Sequence, residues 1–191
     1  MKRVLLVSLC AVALVAFAQE KGPGNMAHIG AQSAADALRT AAGTDGAFLA
    51  AKHIKVPYQS NDLASMMQYP TESIVVVKLT GAELRSAFER SAALYPQSNQ
   101  SFLQVSGFSI EISSSGAPEK RVISVKSDTG NNLEDAKTYE IAMPAQLGRG
   151  GMGYFKIWDK NKIVRTLDGT LESVLRGKSQ SESSPRWVVR S

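Results

Sequence analysis

The chain has 191 residues, 43% hydrophobic and 20% charged, a content ordinary for a globular protein that can bury one sizeable core. Its formal charge of +5 comes from 22 basic and 17 acidic residues scattered along the chain. No basic stripe is interleaved with aromatics, which argues against a nucleic-acid surface, and the single cysteine, Cys10, excludes an internal disulfide framework.

Lys2 and Arg3 precede an apolar run from Val4 to Phe17, and Ala16-Phe17-Ala18 closes it, the three-part layout of a secretory signal peptide cleaved after Ala18. The run is shorter than the ~20 residues a helix needs to cross a bilayer. Cys10 lies inside it rather than at its end, which argues against lipid attachment. Cleavage removes Lys2 and Arg3 and lowers the formal charge from +5 to +3. The expected location is secreted or periplasmic, without a stable membrane anchor.

Residues 19–25, with Gly22, Pro23 and Gly24, read as a flexible mature N-terminus, and Asn25 as the N-cap of a helix over 26–42. Ile29, Ala35, Leu38 and Ala42 share one face of that helix, and Gly43 and Gly46 end it. A short buried strand is expected over 46–54, running into a basic cluster of Lys52, His53 and Lys55, then a short helix over 61–68.

The strongest local signal is Ser73 to Leu79, a β-branched run that stops at Thr80-Gly81. Thr80 and Glu83 stand at capping-box spacing, and Leu84, Phe88 and Ala92 form the inward stripe of the helix they open. Strands are expected over 103–113, 121–126, 138–143 and 162–166, and a helix over 170–175. Residues 177–191 read as a Ser-rich tail. The order is mixed rather than strictly βαβ, so the chain is one α+β domain, residues 26–176, with a mixed sheet covered by helices. The run Gly148 to Gly153 satisfies G-x-G-x-x-G, but Tyr154 and Phe155 follow it and read as extended or irregular, so the dinucleotide fingerprint is rejected.

Catalytic patterns are sparse. The two histidines, His28 and His53, show no ligand spacing, His53 lies between lysines, and Ser106-Gly107 lacks the preceding glycine of a nucleophile elbow. Asp62 with Glu72 is the one carboxylate pair considered for acid/base work, and solvated surface groups are the simpler reading of both. No catalytic residue, metal ligand or cofactor is assigned to the chain.

Five segments carry a resemblance: ADALR from Ala35, VVVKLTGAEL from Val75, FLQVSG from Phe102, RVISV from Arg121 and KTYEIAMPAQLGRGGMGYF from Lys137. With the stretch from Ser86 to Ile112, they resemble the C-terminal, substrate-recognition domain of secreted 5′-nucleotidases. In full-length relatives that domain grips the nucleoside while an N-terminal metallophosphoesterase domain, which nothing in this chain resembles, cuts the phosphate.

The resemblance also implies where ligand contacts would fall. The family's Asn-Gly-Gly-Gly-Ile-Arg loop lies over Ala50 to Lys55, so Lys55 keeps the charge of the arginine but loses its planar fork. The first base-stacking ring falls on Pro70, with Tyr69 one position away. The second falls on Gln146, and the ribose-binding aspartate on Met152. Losing both rings forfeits stacking of about 1 to 3 kcal/mol per base. The implied pocket lies near Lys55, Tyr69, Arg149 and Tyr154. The resulting expectation is a non-catalytic binding or accessory subunit for a nucleoside-like ligand, beside a separately encoded metallophosphoesterase that supplies any divalent metals. The alternatives are a hydrolase of nucleotide catabolism and a protein-interaction module with Trp187 as a contact.

Overall fold

The structure, a computed structural model, describes residues 22–191. The expected signal peptide, residues 1–18, lies outside them. Among the described residues no helix is long and apolar enough to cross a membrane.

The first helix, α1 (Ile29–Ala42), begins three residues later than expected and is capped by His28, whose Nδ1 accepts from the Ala31 amide at 3.3 Å. Asn25 is occupied elsewhere: its side-chain amide donates to the Pro96 carbonyl at 3.0 Å. The Gln104 amide holds the carbonyls of Pro23 (2.9 Å) and Met26 (2.7 Å), so residues 23–26 form a pinned arm rather than a free end or a helical turn. Ile29 is 46% exposed, and the buried face is carried by Ala31, Ala34, Ala35, Leu38 and Ala42.

Strand β1 (Gly46–Ala50) is fully buried and ends earlier than the sequence suggests, because Ala51–His53 turns into a single 3₁₀ turn. The amides of Ala51 and Lys52 there take the carbonyls of Phe102 and Gln100. Leu63–Met66, expected as a helix, is likewise one 3₁₀ turn capped by Asp62. Strand β2 (Ser73–Thr80) passes into α2 (Gly81–Ala92) through the expected capping box: Thr80 Oγ1 accepts from the Glu83 amide at 3.2 Å, and Glu83 Oε2 accepts from the Thr80 amide at 2.9 Å.

The single strand expected over 103–113 is two, β3 (Leu103–Ser106) and β4 (Phe108–Ser113), because Gly107 turns the chain from one sheet into another. Strands β5 (Val122–Ser127) and β6 (Thr138–Pro144) follow, then a one-turn helix α3 (Ala145–Gly148). Gly151–Lys156, which includes Tyr154 and Phe155, expected to be extended or irregular, folds as 3₁₀ turns with Gly150, Met152 and Gly153 at φ of 85°, 53° and 81°. The glycine run thus follows a short helix instead of opening one. The chain closes with β7 (Ile163–Thr170), α4 (Leu171–Leu175) and β8 (Trp187–Arg190).

A five-stranded mixed sheet has the order β3-β1-β6-β2-β7, with β1 and β6 parallel and the other pairs antiparallel. Alternation along each strand builds a core on either face. Ala47, Leu49, Val76 and Ala142 pack toward α1 and α4, with Leu38, Leu171 and Leu175. Phe48, Val75, Val77, Ile141 and Met143 pack on the other face, with Leu84 and Phe88 of α2 and the inner side of the second sheet, β5-β4-β8.

Residues 177–191 do not form a tail. They run back along α1, where the buried Gln32 accepts from the Arg186 amide at 2.8 Å and donates to Ser183 Oγ at 2.9 Å. Trp187–Arg190 then joins β4 as a parallel strand. Trp187, 1% exposed, is a core residue and not a surface contact.

Candidate functional site

Four segments far apart in sequence meet at one groove. Its larger lobe, about 430 Å³, lies between the pinned arm at Pro23-Gly24, the Ala51-Lys52 turn, Gln68-Tyr69 and the Ser98–Gln100 loop. A second lobe of about 340 Å³ is formed by Lys52, Gln100, Ser101, Gln146 and Met152. The two meet at Lys52 and Gln100.

The residues that the resemblance implicates scatter around this groove unevenly. Tyr69 lines the larger lobe and is 39% exposed. Lys55 does not line either lobe; Lys52 does. Arg149 is exposed and its charge acts on Glu72 rather than in the groove. Tyr154 is fully buried, stacks on Trp158 with centroids 4.6 Å apart, and donates its hydroxyl to the Ser101 carbonyl at 2.7 Å. Burial holds that phenol protonated well above its ordinary range. It supports the wall from behind and offers no ring face to a ligand. Gln146 and Met152 line the second lobe together, and Pro70 uses its carbonyl to accept from the Glu172 amide at 2.8 Å.

Beneath the groove lies a pair that sequence spacing does not reveal. His53 is 0% exposed, and its Nδ1 sits 3.3 Å from the Ala50 carbonyl, which can only accept, so Nδ1 carries a hydrogen. Its Nε2 faces Glu72 Oε2 at 3.5 Å, an ion-pair distance without the alignment of a hydrogen bond. The other Glu72 oxygen accepts from the Gln146 amide at 2.6 Å. Glu72 therefore ties the 51–53 turn, the 68–72 segment and α3 together. Asp62 serves a different place, accepting from the amides of Ala64 and Gly177.

Burial pushes the Glu72 carboxyl up, but the His53 contact, the Gln146 amide and the Arg149 charge outweigh it and hold it below its ordinary value of 4.5. A folded-state value below the unfolded one stabilises the fold above that ordinary value and is lost as pH falls through the lowered one. Melting temperature is therefore expected to drop on acidification below about pH 4.5. In Glu72→Gln the acid-side drop flattens, and the gap between the two proteins closes as pH falls. Parallel melting curves across pH 3 to 7 (roughly the window in which carboxylates titrate) would refute this role.

Among the described residues no three His, Cys, Asp or Glu side chains gather into a metal-holding group. Among the described residues the groove offers one ammonium, carboxamides, hydroxyls and one exposed tyrosine ring.

Known proteins resemble this chain in sequence and in fold. The chain is 30% identical over 113 residues to a 5′-nucleotidase-related protein of Glossina morsitans morsitans, covering 55% of this chain and 20% of that protein. It is 35% identical over 89 residues to a snake venom 5′-nucleotidase of Naja atra, covering 43% of this chain and 17% of the relative. The chain thus spans about a fifth of the length of these curated relatives. The fold matches a 5′-nucleotidase precursor from Thermus thermophilus with a TM-score of 0.71 at 20% identity, over 86% of this chain and 36% of that one. It also matches the NAD nucleotidase of Haemophilus influenzae with a TM-score of 0.64 at 17% identity, over 88% and 36%. The family model for the 5′-nucleotidase C-terminal domain matches residues 15–159, more than half of the chain, which therefore belongs to that family.

Proposed function

We propose that this chain is an exported, non-catalytic binding domain that holds a nucleotide-related ligand in the Lys52 groove, as an accessory subunit to a separate metallophosphoesterase. The observation that carries the reading is positional. Three residues at or beside the positions of the family's ligand contacts, Gln146, Met152 and Tyr69, line a single groove, whereas Lys55 does not, and the contact side chains themselves have been replaced.

The test is calorimetric titration of residues 19–191 with AMP, alone and with a metallophosphoesterase that lacks such a domain. Phosphate release is assayed in Mn, Zn, Co and Mg. The expected result is saturable AMP binding, no phosphate release by this chain alone, and a lowered KM when the two are mixed. Metal-dependent release by the isolated chain would make it a hydrolase instead, and absence of binding in both settings would leave a structural module.

A further inference from the structure

We infer that the groove selects the phosphorylated sugar of its ligand and is indifferent to a base, with Lys52 as the anion-binding residue. This rests on the proposed ligand-binding role and names the chemical class that the site takes.

Charge comes first. Lys52 is half-buried, lines both lobes, and has no carboxylate at ion-pair distance among the described residues. Among the described residues, neither lobe is lined by an aspartate or a glutamate. A lone ammonium in a concave site with no counter-charge attracts an anion, and low-dielectric walls strengthen that attraction over the same charge on an open surface.

Hydrogen-bonding capacity comes second. Gln68, Gln100 and Gln146 are exposed around Lys52, and no hydrogen bond within the described residues uses their side-chain amides. Each offers two donors and an acceptor, the complement of a row of hydroxyl groups. The backbone beneath them is held. The Lys52 amide donates to Gln100 O at 3.0 Å, the Gln68 amide to His53 O at 2.8 Å, and the Gln146 amide to Glu72 at 2.6 Å. Asn99 is already engaged, accepting from Ser101 Oγ at 2.6 Å, which stiffens the loop instead of presenting an amide to the groove. With the backbone held, only the side-chain rotamers remain to be fixed on binding.

Ring faces come third and are scarce. Among the described residues Tyr69 is the sole aromatic lining either lobe, and its ring meets buried His53 edge-on at 6.1 Å. Among the described residues no second ring lines either lobe, so a flat base has no sandwich to enter. One tyrosine face suffices for the CH face of a sugar.

The experiment measures binding of ribose 5-phosphate, adenosine, AMP and inorganic phosphate to residues 19–191, and to Lys52→Gln and Lys55→Gln. The expected result is comparable affinity for ribose 5-phosphate and AMP, with adenosine and inorganic phosphate both much weaker. Lys52→Gln, checked for an unchanged melting temperature, weakens ribose 5-phosphate by about tenfold or more, the scale of one charge-assisted hydrogen bond, and Lys55→Gln leaves it unchanged. Adenosine binding as tightly as AMP while ribose 5-phosphate fails would overturn base indifference and leave the binding role standing. Inorganic phosphate matching ribose 5-phosphate would reduce the groove to a simple anion site, and silence from all four ligands would remove both readings.

Discussion

Trp187→Ala is expected to destabilise the protein by about 3 to 5 kcal/mol, the cost of emptying a buried aromatic site. Deleting residues 177–191 is expected to cost more. Trp187 packs against Phe102 with centroids 4.8 Å apart and against Phe88 at 5.9 Å, and its indole N–H donates to the Leu103 carbonyl at 2.8 Å. Just before it, the Arg186 guanidinium grips both oxygens of Asp36 at 2.7 and 2.8 Å and also donates to the Val105 carbonyl at 2.8 Å. Asp36 in turn accepts from Ser106 Oγ at 2.6 Å, so removing the arginine leaves a half-buried carboxylate with its hydroxyl partner alone. Since domains are stable by only about 5 to 15 kcal/mol, truncation should give an unfolded or protease-sensitive product. Urea titration checks both. Trp187→Phe keeps a ring but forfeits the N–H bond, and should lose about 1 kcal/mol. A truncated chain with an unchanged midpoint would show that the last strand is an accessory. The same geometry means that a pull-down with the last residues removed would report folding rather than partner binding.

The second large effect is expected at Gly107, where the chain leaves the five-stranded sheet and enters the three-stranded one. Its φ of +84° lies in the left-handed region, and a Cβ there would stand 2.1 Å from the Asp45 carbonyl oxygen. Backbone cannot swing aside as a side chain can. Gly107→Ala is therefore expected to cost about 3 kcal/mol or more, combining the left-handed penalty with displacement of a strand end. Gly43 supplies the control. It caps α1 at φ +61° with nothing within 4 Å of the added atom, so Gly43→Ala should cost only about 1 kcal/mol. Equal losses at the two glycines, measured by denaturant unfolding of each variant, would refute the steric part of the argument.

The groove and the stability of the fold are linked through Glu72. It joins three of the segments that line the groove or lie under it, so a substitution there should loosen ligand binding as well as acid stability. Among the described residues the Lys52 side chain makes no ion pair, which is why its replacement separates recognition from folding.

What could be read directly from the amino-acid order was local. The β-branched run of β2, the Thr80–Glu83 box and the left-handed glycine after α1 each depend on residues within a few positions of one another, and each stands in the structure as expected. The family likeness was legible for a related reason, since apolar spacing and turn residues persist after ligand side chains have changed. Misreadings arose where a distant partner competed. Asn25 has cap chemistry, but Pro96 takes its side chain. Tyr154 looked available beside a glycine loop, but Trp158 and Ser101 claim both its ring and its hydroxyl. Residues 177–191 are polar and Ser-rich, yet one tryptophan and one arginine commit them to the core.

The groove belongs to this second class. Lys52, Tyr69, Gln100 and Gln146 lie on separate turns and loops, and their meeting depends on strand order and on the His53–Glu72 contact. Local elements were written in short-range periodicity and capping and the family in a few short sequence segments, whereas the identity of the cation that lines the groove, Lys52 and not Lys55, was decided by how long-range packing turns the chain after β1.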